Sequence, residues 1–299
     1  GVLKDCQPYK TLGKPPSYIP VLANGDVDDL GIYIVSSDGQ SHKAGDWRKE
    51  FTIQSVVKPI LLLLCLMDNG AELLRSTIGV EATGKPFDAI NVTDGQLSSQ
   101  HLNPMVNMGA ILMCTLIKGD DYDMRFARLL DLTRRLAGNP DISVDQKVYL
   151  SEKRTGNKNR ALAFLLKNYG LIDGDVEEVL DCYFKACSIK VNCRDLANIA
   201  FTFANRGRRP LSDERLFPAE YAHYVNAVLV TCGMYDGSGD FAVRVGVPAK
   251  SGVGGGIMAV APTRMGIGIF SPGLDEKGNS LAGIKALEEL SHRMYLSIF

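Results

Sequence analysis

Ser55 and Lys58 stand three residues apart at the mouth of an otherwise apolar run, FTIQSVVKPILLLLCLM over 51–67. A hydroxyl becomes an effective nucleophile when a base takes its proton, and a lysine can be that base once its amine is neutral. Pro59 lacks an N–H and is tolerated in a helix only within the first turn, so the run predicts a helix that begins near Ser55. Lys58, as the residue before a proline, is biased against helical dihedrals, which opposes that reading. A helix start would hold both side chains on one face and surround the serine with free N–H groups suited to an oxyanion. Its positive end would also favour the neutral amine. One S-x-x-K occurs in the chain, and about one is expected by chance in a chain of this size. Taken alone, the motif is by default a snorkelling lysine that caps a buried helix.

A second element shifts the balance. Lys250-Ser251-Gly252 opens a glycine-rich stretch, AKSGVGGGIMAV, whereas roughly 0.2 K-[ST]-G tripeptides are expected by chance. In serine acyl-transfer enzymes with an S-x-x-K serine, a K-[ST]-G strand forms the opposite wall of the cleft. The glycines also fit close backbone packing between strands. Neither phosphate-binding glycine pattern is present, and the S-D-N of penicillin-recognising enzymes is absent, which argues against a β-lactamase.

These residues need elements to hold them. LGIYIVSSDGQSHKAGD reads as a β-hairpin turning at Asp38-Gly39. From about Met67 to Val230 helical periods dominate, as in NPMVNMGAILMCTLI, MRFARLLDLTRRLA, NRALAFLLKNYG, DVEEVLDCYFKACSI and CRDLANIAFTFANRG. Beyond that, FAVRVGVPAKSG, GGIMAVAPTRM and MGIGIFSPG read as short β runs, and LAGIKALEELSHRMYLSIF as a closing amphipathic helix. The order predicts an α+β architecture. Residues 1–67 and 231–299 would form an antiparallel sheet flanked by helices, and 68–230 an inserted all-helical domain, with a cleft where the two meet.

The 299 residues carry 33 Lys plus Arg against 34 Asp plus Glu, a net charge of −1 that excludes a broadly basic nucleic-acid surface or polybasic membrane anchor. The apolar run 60–67 is far short of the roughly 20 residues that span a bilayer. No charged-then-apolar leader pattern opens the chain. The four histidines (42, 101, 223, 292) are scattered, and the seven cysteines contain no C-x-x-C pair, so neither a metal nor a cofactor is expected. Several cysteines lie inside apolar stretches, which predicts buried free thiols and a cytoplasmic protein.

The combination of FTIQSVVKP, HLNPMVNMGAI, SEKRTGNKNRALAFLL, CSIKVNCRDLA, TCGMYDGSGDF and PAKSGVGGG resembles the serine-dependent glutaminase family across almost the whole chain. The likeness is to its short bacterial form, without ankyrin repeats. It implies a β-lactamase/transpeptidase-like fold and hydrolysis of L-glutamine to L-glutamate and ammonia, with no cofactor, and assembly as a homodimer or homotetramer. Carried over residue by residue, it assigns the nucleophile to Ser55 and its activating amine to Lys58, with Tyr18 and Tyr235 beside them. It assigns substrate contacts to Asn107, Glu152, Asn159, Tyr183, Tyr235 and, through its backbone, Val253. Glu152 would match the substrate ammonium, and Asn107, Asn159 and Tyr183 its carboxylate. Taken singly, these asparagines and tyrosines are as well explained by helix capping and core packing. The stretch 84–99 departs from the family pattern. Another S-x-x-K hydrolase (an esterase or peptidase) and a non-catalytic ligand-binding protein of the same fold are the competing readings.

Overall fold

A computed structural model describes residues 1–89, 98–99, 102–210, 212 and 214–299; His101 and part of 84–99 lie outside the described residues. The chain opens with α1 (Val2–Cys6), followed by β1 (Gly31–Ser36), β2 (Ser41–Gly45) and β3 (Phe51–Thr52). The helical block runs α2 (Lys58–Asn69), α3 (Ala71–Thr77), α4 (Asn107–Leu116), α5 (Tyr122–Ala137), α6 (Gln146–Thr155), α7 (Asn157–Asn168) and α8 (Val176–Cys187). After β4 (Lys190–Val191) come α9 (Cys193–Ala204), α10 (Ala219–Cys232) and α11 (Ser238–Arg244). The chain ends on β5 (Ala249–Ser251), β6 (Gly256–Ala261), β7 (Met265–Phe270) and α12 (Leu281–Met294).

The predicted hairpin forms, with Val35 opposite Ser41, and joins the C-terminal strands in one antiparallel sheet ordered β2-β1-β7-β6-β5. Strand alternation divides the side chains between two cores. Tyr33, Val35, Met258, Val260 and Phe270 face the large helical core. Ile32, Ile34, Ile257, Ala259, Ile267 and Ile269 face a smaller one with Ala286, Leu287 and Leu290 of α12. That sandwich explains why β6 and β7 are buried along their whole length. α9 lies across the helical face of the sheet, although by sequence it belongs to the 68–230 block. Its approach requires glycine beneath it: a Cβ at Gly268 would stand 2.1 Å from the Cys193 carbonyl oxygen, and one at Gly266 2.2 Å from that of Ala197.

α2 is buried from Lys58 through Leu66, which is why its sequence is apolar on every side. Asp121, Asp145 and Asp175 cap α5, α6 and α8 by accepting first-turn N–H groups.

Two expectations are corrected. FAVRVGV is not a strand at its start, because Phe241 lies in α11. Phe241 and Val245, four residues apart, are buried together, while Val243 between them is 88% exposed. A helix produces that spacing and an alternating strand cannot. The helix of the S-x-x-K run starts at Lys58, three residues later than expected, and Ser55 sits in a preceding 3₁₀ turn, Gln54–Val57. Lys58 nevertheless has helical dihedrals (φ −59°, ψ −43°), so burial of α2 overrides the pre-proline bias.

Candidate active site

Three structures converge on Ser55. The short ladder of β3 with β4 and the Ile53 N–H to Ile189 carbonyl bond (2.8 Å) clamp the chain just before it. The following residue, Gln54, has φ +49°, a left-handed conformation that costs a side-chain-bearing residue roughly 1–2 kcal/mol and turns the chain into the serine. From the opposite side the turn after β5 packs against this segment: a Cβ at Gly252 would lie 2.9 Å from the Ile53 oxygen, and one at Gly254 2.6 Å from the Thr52 oxygen. The GVGGG stretch is therefore a backbone-packing device between the K-S-G strand and the serine turn. The N–H groups of Ser55 and Val253 have no hydrogen-bond acceptor among the described residues, so both remain available to a developing oxyanion.

Lys58 is wholly buried, and its Nζ donates to Asn107 Oδ1 (2.8 Å) and the Met105 carbonyl (3.2 Å). Burial lowers its pKa to about 8. Desolvation, rather than the helix end, thus brings the amine toward its neutral form. Asn107 begins α4 and is the hub of the site. Its Oδ1 also accepts from the Tyr183 hydroxyl (3.3 Å), and its Nδ2 donates to Asn159 Oδ1 (3.0 Å).

Tyr235 has φ +55° and is buried, with Phe87 tilted against it at 4.5 Å between centroids and Lys250 Nζ 4.2 Å from its ring centroid. Its hydroxyl makes no hydrogen bond of normal geometry. Burial pushes its pKa up, and the neighbouring Ser55 hydroxyl opposes the rise. Lys250 is also fully buried and donates to the Ser251 carbonyl (2.6 Å); burial and then the charge of Lys58 hold its pKa well below the usual lysine range.

Glu152 on α6 is buried and accepts from Gln54 Nε2 (2.8 Å). Burial raises its pKa to about 7, and the Gln54 bond works against that rise. Among the described residues it pairs with no lysine or arginine: Lys153 turns away to Asp181. Glu152 therefore lies buried within the cleft, which excludes a solvated surface ion pair as its role.

A cleft of 340 Å³ is lined by Tyr18, Phe87, Asp88, Asn107, Glu152 and Asn159, among others. It adjoins an open vestibule of 760 Å³ that shares Tyr18, Phe87 and Asp88 and reaches Val253. Tyr18 guards the mouth. More than half of its surface is exposed, while its phenol is crowded by protein and pushed up in pKa, first by that crowding and then by Tyr235 and Glu152. Lys58 and Tyr183 stand behind Asn107 in the cleft wall, and Ser55 adjoins Tyr235. Of the sequence-predicted residues, Tyr18, Asn107, Glu152 and Asn159 line the cleft, Val253 lines the vestibule, and Tyr235 lines a neighbouring pocket with Phe87 and Met105. The residues not foreseen are Gln54, Phe87, Asp88 and the buried Lys250. Lys250 was within reach, because it heads the K-S-G motif. Among the described residues no His, Cys, Asp or Glu cluster is placed to hold a metal ion.

A serine on a tight turn, a buried lysine three residues on and a K-S-G turn packed against the serine segment match the pattern of serine acyl-transfer enzymes on the β-lactamase-like fold. The chain belongs to the Glutaminase family, whose model matches residues 13–299. It is 51% identical to a glutaminase of Clostridium tetani over 298 residues, 100% of this chain and 97% of that protein. It is 49% identical to glutaminase 2 of Clostridium perfringens, covering 100% and 98%. Among solved structures it resembles a probable Bacillus subtilis glutaminase complexed with 6-diazo-5-oxo-L-norleucine, at TM-score 0.90, 35% identity and coverage of 100% and 94%. The covalent complex of the Bacillus subtilis glutaminase YbgJ with 5-oxo-L-norleucine matches at TM-score 0.91, with 34% identity and coverage of 100% and 97%.

Proposed function

We propose that this protein hydrolyses L-glutamine to L-glutamate and ammonia, with Ser55 as the nucleophile. The observation that carries the reading is Glu152, a carboxylate buried beside the serine turn with no cationic partner among the described residues. A buried charge of this kind is matched when a ligand brings the opposite one, and the ammonium of a free amino acid does so. Asn107, Asn159 and Tyr183 supply neutral donors for the substrate carboxylate at the same cleft.

Neutral Lys58 takes the Ser55 proton as Oγ bonds to the amide carbon, and the carbonyl electrons move onto oxygen, facing the N–H groups of Ser55 and Val253. The C–N bond then breaks as the nitrogen receives a proton through the Lys58–Tyr235 pair, and ammonia leaves. Water, deprotonated by the same groups, attacks the glutamyl ester carbon; the bond from that carbon to Ser55 Oγ breaks, Lys58 and Tyr235 return the proton to Oγ, and L-glutamate leaves. The reaction needs Lys58 neutral and Glu152 ionised in the free protein. As pH rises, kcat/KM should therefore increase in two steps, near 7 and near 8.

The test compares L-glutamine, L-asparagine, D-glutamine and a chromogenic β-lactam side by side. Ammonia release from L-glutamine well above the rest is expected. Preference for the β-lactam would assign the site to another serine hydrolase, and turnover of none would make it a binding protein. We further propose that the protein works in the cytoplasm as a homodimer or homotetramer. Seven free thiols fit a reducing compartment. Exposed Leu73, Phe164 and Val243 fit apolar contacts between copies, and light scattering on the purified protein tests the assembly.

A further inference from the structure

We propose that Gln54 is a positioning residue that couples recognition of the substrate ammonium at Glu152 to the placement of the nucleophile Ser55. The inference rests on the glutaminase reading above and deepens it. Gln54 spends both Nε2 protons on buried partners, Glu152 Oε1 at 2.8 Å and Thr52 Oγ1 at 3.0 Å. The first bond crosses between parts of the chain 98 residues apart, from the serine turn to α6. The second ties the same side chain to β3, directly upstream of the turn. Its backbone is the left-handed link that aims Ser55, at φ +49°.

Gln54 is enclosed. Gly252 and Gly254 would bring a Cβ to 3.5 Å from its Cβ and 3.3 Å from its Cγ, so the K-S-G turn packs flush against it. One residue therefore fixes both the direction of the serine and the orientation of the carboxylate, and a shift in either is transmitted to the other.

Glu152 offers a specific readout. The titratable groups that face it are Tyr18 from the entry segment and Tyr183 and Cys187 from α8. Loss of water around the phenol of Tyr18, and burial of Tyr183 and Cys187, raise all three in pKa, and they stay neutral below pH 8. Asp88 and Lys158 share the cleft rim and pair with each other at 2.5 Å. Gln54 is thus the donor that holds the Glu152 carboxylate ionised, and losing it should move the lower step of the pH profile upward.

The experiment measures kcat and KM for L-glutamine from pH 5.5 to 8 in wild type, Gln54→Met, Gln54→Asn, Glu152→Gln and the Gln54→Met/Glu152→Gln double variant. Methionine keeps the volume and removes the donor. Asparagine tolerates the left-handed backbone but cannot reach Glu152, so the test stands even if Gln54→Met fails to fold. Each single Gln54 variant should lose about 10²-fold in kcat/KM through both a lower kcat and a higher KM, with the lower pH step displaced upward. The double variant should be little slower than Glu152→Gln alone. An unmoved pH step, an unchanged kcat, or fully additive losses would each overturn the coupling. Absence of ammonia release by the wild type would instead refute the functional reading itself.

Discussion

Lys58 and Glu152 have opposite requirements, and one physical cause serves the first while opposing the second. Burial drives the lysine toward the neutral amine that a base requires, yet it also drives the glutamate toward the neutral acid that cannot hold an ammonium. Lys58→Met fits the same buried space without the amine. It should lower kcat by about 10²-fold or more and erase the step near pH 8; a variant that kept that step would remove Lys58 as the base. Glu152→Gln should lose about 10- to 150-fold in kcat/KM for L-glutamine, the contribution of a charge-assisted contact. It should also gain stability. The folded pKa of Glu152 lies above its ordinary 4.5, at about 7, so its favourable contribution is present at low pH and lost as pH rises through 7. At pH 8 the variant should be more stable than wild type by up to about 3 kcal/mol, with the gap closing near pH 4. Denaturant melts at the two pH values check this, and a less stable variant at pH 8 would contradict it. Ser55 and Lys58 were legible because their S-x-x-K spacing coincides with a K-S-G tripeptide and a family resemblance that spans almost the whole chain. Gln54 was not, because its importance lies in a contact to a residue 98 positions away.

The elements were legible where period and punctuation agree, as in the β1–β2 hairpin with its Asp38-Gly39 turn and in α5 and α8 with their Asp caps. They were illegible where tertiary packing decides. The β3–β4 ladder has two residues on each side, too short for any period to register, yet it clamps the nucleophile segment. In α11, β-branched residues read as a strand until burial reveals the four-residue spacing of Phe241 and Val245. The glycines of MGIGIF record the close approach of α9, which no local pattern announces. Gly268→Ala would force its methyl to 2.1 Å from the Cys193 carbonyl oxygen. We expect destabilisation by about 3 kcal/mol or more, read as a drop in the thermal midpoint; an unchanged midpoint would mean that α9 stands off the sheet. We propose that 1–67 with 231–299 and 68–230 form two units, with α9 packing across from one to the other.

At the scale of the whole molecule, the net charge is −1 and the interior holds all seven thiols. A thiol reagent should label the native protein slowly and all seven cysteines once it is unfolded; rapid native labelling would place a thiol at the surface. Among the described residues no helix is long and apolar enough to cross a membrane. The central claim is that one hydroxyl, on the turn between the β3–β4 clamp and α2, carries the chemistry. Ser55→Ala tests it most directly. Loss of one small polar group at this turn should leave stability within about 1 kcal/mol. Ammonia release from L-glutamine should fall by at least about 10³-fold, and a folded Ser55→Ala protein that still turned over near the wild-type rate would contradict the account.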